Sequence, residues 1–265
     1  MNPMHVAGLY TYPIKSCRGT ALARATLDEH GIRQDRRFMV VTPSGDFLTQ
    51  RQQPSLALVV PQLADGVLSV DAPGLPPLVL REHNSGERVH VTIWRDRCVA
   101  IDQGDDAASW FTTFLGTACR LVWMPDDTVR PVDLEYGQPN DQVSFADGFP
   151  VLLTNEASLD DLNNRLDRPL PMDRFRPNIV VAGTNPYAED QWHHVQIGSV
   201  AFAIVKPCVR CAITTTNQQT AERGLEPLRT LASYHRSEKG ALFGQNLIHR
   251  SGGTINVGDA VVVDE

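Results

Sequence analysis

Apolar and polar residues alternate over many short runs of the chain, and Gly, Pro, Asp and Asn separate these runs. Alternation with a period of two residues is typical of half-buried β-strands. The pattern therefore predicts a mostly β protein, with strands at residues 5–12, 38–42, 67–71, 89–94, 99–102, 120–124, 179–182, 200–205 and 260–263.

Helical periodicity is confined to a few segments, which predict helices at residues 106–115, 156–166 and 227–235. Thr154 and Asn155 precede the second helix as a capping pair. The polar, proline-containing stretch 125–142 carries little periodicity and predicts a connection. A chain of 265 residues is near the size at which one core stops growing. We therefore predict an α+β fold, mostly β with a few helices, in two domains at residues 1–124 and 125–265.

Composition narrows the classes of function. Hydrophobic residues make up 42% and charged residues 21%, which is typical of a globular protein and not of a disordered one. The formal net charge of −7 argues against general nucleic-acid binding, which needs clustered Lys and Arg. No run approaches the roughly 20 apolar residues of a membrane helix, and residues 1–6 lack a basic, apolar leader. We expect a cytoplasmic protein that binds neither membrane nor nucleic acid.

The five cysteines are the first candidates for chemistry. Their odd number and irregular spacing do not suit a secreted disulfide framework, so we expect reduced thiols at Cys17, Cys98, Cys119, Cys208 and Cys211. The last two have C-x-x-C spacing at the end of an apolar strand, and Arg210 directly precedes the second.

Four interpretations of this pair are open at this point. Structural zinc needs about four ligands, and no second pair accompanies this one. A thioredoxin-like pair begins a helix, whereas Thr214–Thr216 predicts an extended continuation. A single thiolate beside Arg210 could bind a soft metal, because the cation favours the charged sulfur. Spacing alone favours the fourth interpretation, two buried and unreactive cysteines.

Several blocks of sequence, in order along the chain, resemble a known family. They are YPIKSC at residues 12–17, GIRQDRRF at 31–38, TQR at 49–51, FADGFP at 145–150, FRPN at 175–178, YAED at 187–190 with Trp192, and KPCVRCAITTT at 206–216. These blocks are similar to the MOSC-domain family, in the branch of the mitochondrial amidoxime reducing component and its bacterial relatives. The resemblance implies an N-terminal MOSC β-barrel domain packed on a MOSC β-barrel domain, with a pterin-based molybdenum cofactor between them.

The resemblance also implies a set of binding residues, which by themselves would read as ordinary solvated charges and turn residues. Phosphate is bound by Lys, forked Arg and hydroxyl donors, so the cofactor's phosphate is assigned to Lys15, Ser16 and Arg36. If Arg36 and Arg37 both lie on a strand they point to opposite faces, and we choose Arg36. Arg176 and Asn178, two apart in an expected strand, would share a face toward the pterin.

For the reacting centre, the resemblance assigns the metal ligand to Cys211, with Arg210 beside it as a cofactor-binding residue. Asp147, in a glycine-containing turn, is the candidate for orienting substrate or relaying a proton. Cys208 becomes a supporting or merely buried thiol. The loop 217–221 departs from the family pattern, which often has Asp-Pro there, and we expect the departure to affect substrate choice.

The function implied is a molybdenum-cofactor-dependent reductase of N-hydroxylated compounds, namely hydroxylamines, amidoximes and N-hydroxy bases. The chain ends just after its last expected strand, without a ferredoxin-like pattern. Electrons are therefore expected from a separate flavin or iron–sulfur protein. Two alternatives are a non-catalytic cofactor carrier or sulfur-transfer protein, and a thiol-redox protein that cycles Cys208 and Cys211 as a disulfide.

Overall fold

The computed structural model describes residues 3–81 and 86–264. Three α-helices lie among many short strands. The helices are α1 (Asp105–Leu115), α2 (Glu156–Asn163) and α3 (Leu228–Tyr234). The strands are β1 (His5–Thr11), β2 (Thr20–Leu22), β3 (Arg24–Asp28), β4 (Gly31–Ile32), β5 (Phe38–Val41), β6 (Val60–Ala64), β7 (Val67–Asp71), β8 (Leu78–Arg81), β9 (Arg88–Ile93), β10 (Asp96–Asp102), β11 (Arg120–Trp123), β12 (Val151–Asn155), β13 (Ile179–Ala182), β14 (His194–Ile197), β15 (Val200–Val209), β16 (Arg236–Ser237), β17 (Gly240–His249), β18 (Gly253–Asn256) and β19 (Val261–Asp264).

The largest sheet combines the beginning and the end of the chain. Its strand order is β19-β14-β15-β17-β12-β13-β1-β2, with β16 paired to β17. Strand β1 pairs antiparallel with β13, and β3 pairs with β18 in a small sheet completed by β4. The remaining strands form a four-stranded sheet, β5-β11-β10-β9, and the meander β6-β7-β8. The first 32 residues are therefore tied to the second half of the chain by backbone hydrogen bonds.

Two large apolar clusters stabilise these sheets. One lies between the four-stranded sheet and α1, where Trp110 and Phe111 pack with Phe38. The other is buried inside the large sheet around Leu153 and Phe202. Helix α1 begins with two acidic residues and ends at Gly116 in the left-handed conformation, which suits the helix dipole and a glycine C-cap. None of the helices in the described part of the chain is long and apolar enough to span a membrane.

The predicted fold class, mostly β with a few helices, is confirmed, and so are the three helices with small differences at their ends. Asn155 caps α2 by accepting a hydrogen bond from the backbone N–H of Ala157 at 3.0 Å. Residues 125–142 contain no helix or strand, as predicted. Strand β17 was not predicted, because Gly244, Gln245 and Asn246 interrupt its apolar pattern. The domain boundary at 124/125 stays a prediction.

Two local predictions are wrong. The extended segment predicted at 214–216 is largely a 3-10 helix, Ala212–Thr215. The hydroxyls of Thr214 and Thr215 each donate to the carbonyl three residues back, at 2.9 and 2.8 Å, and this closes the turn. Arg176 and Asn178 do not lie in a strand either, because β13 begins at Ile179 and Arg176 has a left-handed backbone with φ of 56°.

Candidate functional site

One cavity brings together all eight residues that the sequence nominated. Its volume is about 140 Å³. The nominated residues that line it are Lys15, Ser16, Arg36, Asp147, Arg176, Asn178, Arg210 and Cys211. They come from turns at the ends of strands in both halves of the chain, so only the tertiary fold places them side by side.

The Lys15 side chain forms one wall of this cavity from below the surface. Its ammonium donates to the carbonyl of Phe145 at 2.7 Å and to Asp147 Oδ1 at 2.5 Å, and the side chain is only 5% exposed. Burial lowers the pKa of Lys15 to about 8, although the carboxylate of Asp147 opposes that shift. Lys15 is thus a cation at neutral pH that loses its charge as the pH rises above about 8.

Two guanidinium groups of the cavity wall stack on one phenol ring. The guanidinium carbons of Arg36 and Arg176 lie 4.4 and 4.3 Å from the ring centroid of Tyr12. Arg36 also pairs with Asp35, and it donates to Asn178 Oδ1 at 3.1 Å. The stack fixes both cations at the cavity wall.

Arg36 and Arg37 diverge as expected, but for a different reason. Arg36 lies in a turn with φ of 50°, and neither arginine is within a strand. Arg37 points away from the cavity and donates to the carbonyl of Met124 at 2.6 Å and to Asp126 at 2.7 Å. The cavity residue is Arg36.

Three of the cavity residues have a backbone conformation that L-residues rarely adopt. Ser16, Arg36 and Arg176 have φ of 67°, 50° and 56°. Such conformations cost roughly 1–3 kcal/mol each and persist where surrounding contacts enforce them. Their concentration around one cavity indicates that the chain is shaped there for a purpose other than stability.

The two cysteines of the C-x-x-C pair both line the cavity and are partly exposed. Arg210 reaches back across the turn, so that its Nη1 lies 2.9 Å from Cys208 Sγ and its Nη2 donates to the carbonyl of Phe175 at 2.6 Å. Cys211 precedes the 3-10 helix Ala212–Thr215. In contrast, Cys17, Cys98 and Cys119 are buried in the apolar clusters.

Asp147 is held between two cations. Its Oδ1 accepts from Lys15 and its Oδ2 accepts from Arg51 Nη2 at 3.1 Å. Desolvation alone would raise the pKa of Asp147, but Lys15 and Arg51 outweigh it and hold the pKa below its usual range. Asp147 is therefore an anion and a hydrogen-bond acceptor at neutral pH.

Arg51 is a residue of the site that the sequence did not nominate. Its Nη2 also lies 3.4 Å from Cys211 Sγ, and its guanidinium lies 4.7 Å from the ring centroid of Trp94. The TQR block that carried part of the family resemblance contains Arg51. That block was the signal that could have identified it.

The cavity holds more positive charge than its partners neutralise. Lys15, Arg36, Arg176 and Arg210 line it against the carboxylate of Asp147. Among the described residues, Arg176 Nη2 and Arg210 Nε are buried nitrogen atoms without a hydrogen-bond partner. Burial lowers the pKa of Arg176 to about 10. Buried donors are normally satisfied, so these two residues of the cavity wall each keep one donor for which the protein supplies no acceptor.

A larger cavity of about 1020 Å³ adjoins the first. The two share Asp147, Gly148, Phe149, Cys208, Val209 and Asn246. Trp94 and Tyr136 also line the larger one, and Lys206 Nζ lies 4.2 Å from the ring centroid of Tyr136. The smaller cavity is polar and basic, whereas the larger one is bordered by aromatic rings. Across the described residues, no three His, Cys, Asp or Glu side chains are grouped so that they could hold a metal ion by themselves.

Comparisons with known proteins cover both halves of the chain. The model of the MOSC N-terminal beta barrel domain matches residues 4–118, and that of the MOSC domain matches residues 140–262. Mitochondrial amidoxime-reducing component 1 of Mus musculus is 37% identical, covering 97% of this chain and 81% of the mouse protein. The Homo sapiens component 1 and the Rattus norvegicus component 2 are each 36% identical, covering 97% of this chain and 82% of theirs. The matched ranges contain every residue that lines the smaller cavity.

Proposed function

The chain belongs to the MOSC-domain family, in the two-domain form shared with the mitochondrial amidoxime-reducing components, and from this we propose that it is a molybdenum-cofactor-dependent reductase of N-hydroxylated compounds. The relatives' names support reduction of amidoximes, and MOSC domains in general bind the molybdenum cofactor. One observation carries the proposal, namely that a partly exposed thiol lines the same cavity as Arg176 and Arg210, each of which has one buried nitrogen without a hydrogen-bond partner.

The residues present fit the cofactor. A phosphate-bearing pterin needs several cationic and amide donors on one side and a soft ligand for its metal on the other. Arg176 Nη2 and Arg210 Nε are buried donors that still lack an acceptor. Cys211 is a partly exposed thiol that lines the same cavity as Arg36 and Arg176, which stack on Tyr12. We therefore place the cofactor in the smaller cavity and in the part of the larger cavity that adjoins it, between residues from the two halves of the chain.

In this proposal Cys211 ligates the metal, and the remaining cavity residues bind the pterin and its phosphate. Lys15, Ser16 and Arg36 would hold the phosphate, and Arg176, Asn178 and Arg210 the pterin. When bound, the cofactor supplies the two-electron chemistry that removes the hydroxyl oxygen from a substrate nitrogen as water. Lys15 and Arg36 would favour retention of the cofactor, because charge-assisted bonds are worth roughly 1.5–3 kcal/mol each.

Asp147 would orient the substrate as a hydrogen-bond acceptor. Its pKa lies below the usual range, so it is poorly suited to donate a proton at neutral pH. An N–OH or amidine N–H of the substrate can donate to Asp147 from the larger cavity, which opens beside it. The aromatic side chains of Trp94, Tyr136 and Phe149 line that larger cavity and suit planar substrates.

Electrons would come from a separate flavin or iron–sulfur protein. An iron–sulfur cluster takes about four cysteine thiolates. Among the described residues, two cysteines, Cys208 and Cys211, line a cavity, and the other three are buried among apolar side chains. The described residues therefore do not supply the ligands of such a cluster. The cytoplasmic location stays a prediction.

Metal analysis joined to a turnover assay tests the proposal. We expect purified protein from a cofactor-producing host to contain molybdenum, and to reduce amidoximes or hydroxylamines with a reduced viologen as donor. A Lys15→Ala/Arg36→Ala double variant should lower molybdenum occupancy more than it lowers the turnover per bound molybdenum. An Arg88→Gln variant is the matched control, because Arg88 forms an exposed ion pair with Asp127 away from the cavity.

Two results would contradict the proposal. Molybdenum-replete protein that reduces no compound in a varied N-hydroxylated panel would favour the carrier. Protein that binds no molybdenum but forms a reversible Cys208–Cys211 disulfide would favour the thiol-redox alternative.

A further inference from the structure

Arg51 connects the sulfur of the proposed metal ligand to an exposed aromatic platform. Its Nη2 lies 3.4 Å from Cys211 Sγ and 3.1 Å from Asp147 Oδ2, and its guanidinium lies over the ring of Trp94 at 4.7 Å. The side chain is 23% exposed, so these contacts are partly shielded from water. One guanidinium therefore contacts a thiol, a carboxylate and an indole at the border of the two cavities.

Trp94 has an unfavourable backbone conformation at the position where its indole ring contacts Arg51. Strands β9 and β10 pair Ile93 with Asp96, so Trp94 and Arg95 form a two-residue hairpin turn. Trp94 has φ of 56° and is 51% exposed, although glycine or asparagine is the residue that suits such a position. A bulky residue in this conformation is uncommon and indicates a role for its side chain.

The turn that carries Arg51 is fixed from beneath by a reciprocal pair of amides. Gln50 Nε2 donates to Gln218 Oε1 at 3.0 Å, and Gln218 Nε2 donates to Gln50 Oε1 at 3.1 Å. Both glutamines are buried. Arg223 also donates to the carbonyl of Gln50, and Arg18 to that of Gln218. Gln218 belongs to the loop 217–221.

We propose that Arg51 is a positioning residue that donates a hydrogen bond to the Cys211 sulfur and so raises the reduction potential of the bound metal, and that the Gln50–Gln218 pair holds it there. This rests on the proposed function only in taking Cys211 as the metal ligand. Hydrogen bonds to ligating sulfur set the potentials of metal centres, because they draw electron density from the sulfur. A fixed cation beside the sulfur also stabilises the more electron-rich, reduced state.

The geometry explains why this position needs arginine. A planar guanidinium can stack on Trp94 while its edge donates to two acceptors, whereas an ammonium has no planar face and offers a point charge. In this proposal the loop 217–221 acts on the metal ligand through Gln218, Gln50 and Arg51.

The test is a potentiometric titration of molybdenum-loaded protein, followed by electron paramagnetic resonance of the one-electron state. We expect Arg51→Gln to lower the midpoint potential by about 59 mV, which corresponds to a tenfold change in the equilibrium constant of a one-electron reduction. Arg51→Lys should lower it less, because the charge remains. Gln218→Ala and Trp94→Gly should each lower it by an intermediate amount, and glycine also relieves the strained turn, so folding is preserved. Arg88→Gln, in the strand β9 that leads to Trp94, is the control and should leave the potential unchanged.

Equal midpoint potentials and equal spectra in wild type and Arg51→Gln would overturn the inference, even if both enzymes reduce amidoximes. A shift in Arg51→Gln but not in Gln218→Ala would overturn the role of the amide pair. A shifted potential in a loaded protein that reduces no N-hydroxylated compound would support this inference and contradict the proposed function.

Discussion

Replacing Arg176 by Met should leave the cofactor-free protein nearly as stable as wild type, while it removes the cofactor. Arg176 is 8% exposed, donates to the carbonyl of Cys17 at 2.6 Å, and stacks on Tyr12. Its Nη2 has no partner among the described residues. A buried cation kept for a ligand costs stability until the ligand binds.

The magnitude follows from the pKa shift. Burial lowers the pKa of Arg176 from 12.5 to about 10, and at roughly 1.36 kcal/mol per unit this is a cost of about 3 kcal/mol. Because the folded pKa lies below the unfolded one, the cost is present in full below about pH 10 and falls as pH rises toward the unfolded value. Methionine removes this cost but also loses the hydrogen bond and the stacking, roughly 2–4 kcal/mol together. The net change should be within about 1.5 kcal/mol of zero.

Arg130 offers a matched comparison, because it is equally buried but has its partners. It donates to the carbonyls of Ser144 and Ala146 at 2.7 and 2.6 Å, and to Asp96 at 2.8 Å. Arg130→Met leaves buried carbonyls unpaired, at roughly 1–3 kcal/mol each, so we expect a loss of about 3 kcal/mol or more. Urea unfolding at pH 7 of protein made without cofactor measures both changes, and metal analysis measures retention. If Arg176→Met lost as much stability as Arg130→Met, Arg176 would be a structural residue and our reasoning about the cavity would fail.

Further outcomes follow from single side chains. Cys211→Ser should abolish turnover and change the metal's absorption spectrum while Cys208→Ser preserves both, and the reverse result would contradict the assigned ligand. Because the pKa of Lys15 is about 8 and its protonated form binds anions, phosphate affinity of cofactor-free protein should fall above about pH 8, by roughly tenfold per unit. Titration by calorimetry should show no such fall in Lys15→Arg, and identical profiles would exclude Lys15 from the anion site. Gly244 has φ of 77°, and Gly244→Ala would place a Cβ 2.5 Å from a backbone oxygen. Gly74 has a similar φ but lies in open space, so Gly74→Ala is the control. Urea unfolding should show that Gly244→Ala lowers the free energy of unfolding by more than about 1 kcal/mol beyond the loss in Gly74→Ala.

Much of the fold could be predicted from the sequence because local patterns and tertiary structure agree there. Helix α1 shows this, since its apolar residues recur with helical spacing and it ends at a glycine. Strand β17 could not be predicted, because its glycines and amides are tolerated only by close strand pairing on both sides. Gly244 in particular lies so near the carbonyl of Leu153 that no side chain fits. That reason lies in the neighbouring strand and not in the local sequence.

The residues of the candidate site could be named by family resemblance but not placed by periodicity. Strand alternation correctly separates Arg36 from Arg37, yet both lie outside the strand, and the separation comes from a left-handed turn at Arg36. The same applies to Arg176, where a face shared with Asn178 was expected. Propensity disfavours such conformations in arginine, so only contacts made after folding, here those with Tyr12, can account for them.

The cavity residues come from distant parts of the chain, and this explains why the large sheet combines strands from both halves. Lys15, Ser16 and Arg36 follow strands of the first 32 residues or lie close to them, whereas Asp147 and Cys211 come from the second half. Hydrogen bonds of β1 with β13, and of β3 with β18, fix the first group against the second. A flexible contact between two separate domains would let the buried arginines reach water, and this would lower the free-energy cost of burying their charge. Because the sheet holds these residues in place, the cations that line the cavity keep their positions, and an anionic ligand that binds there would recover free energy lost in burying them.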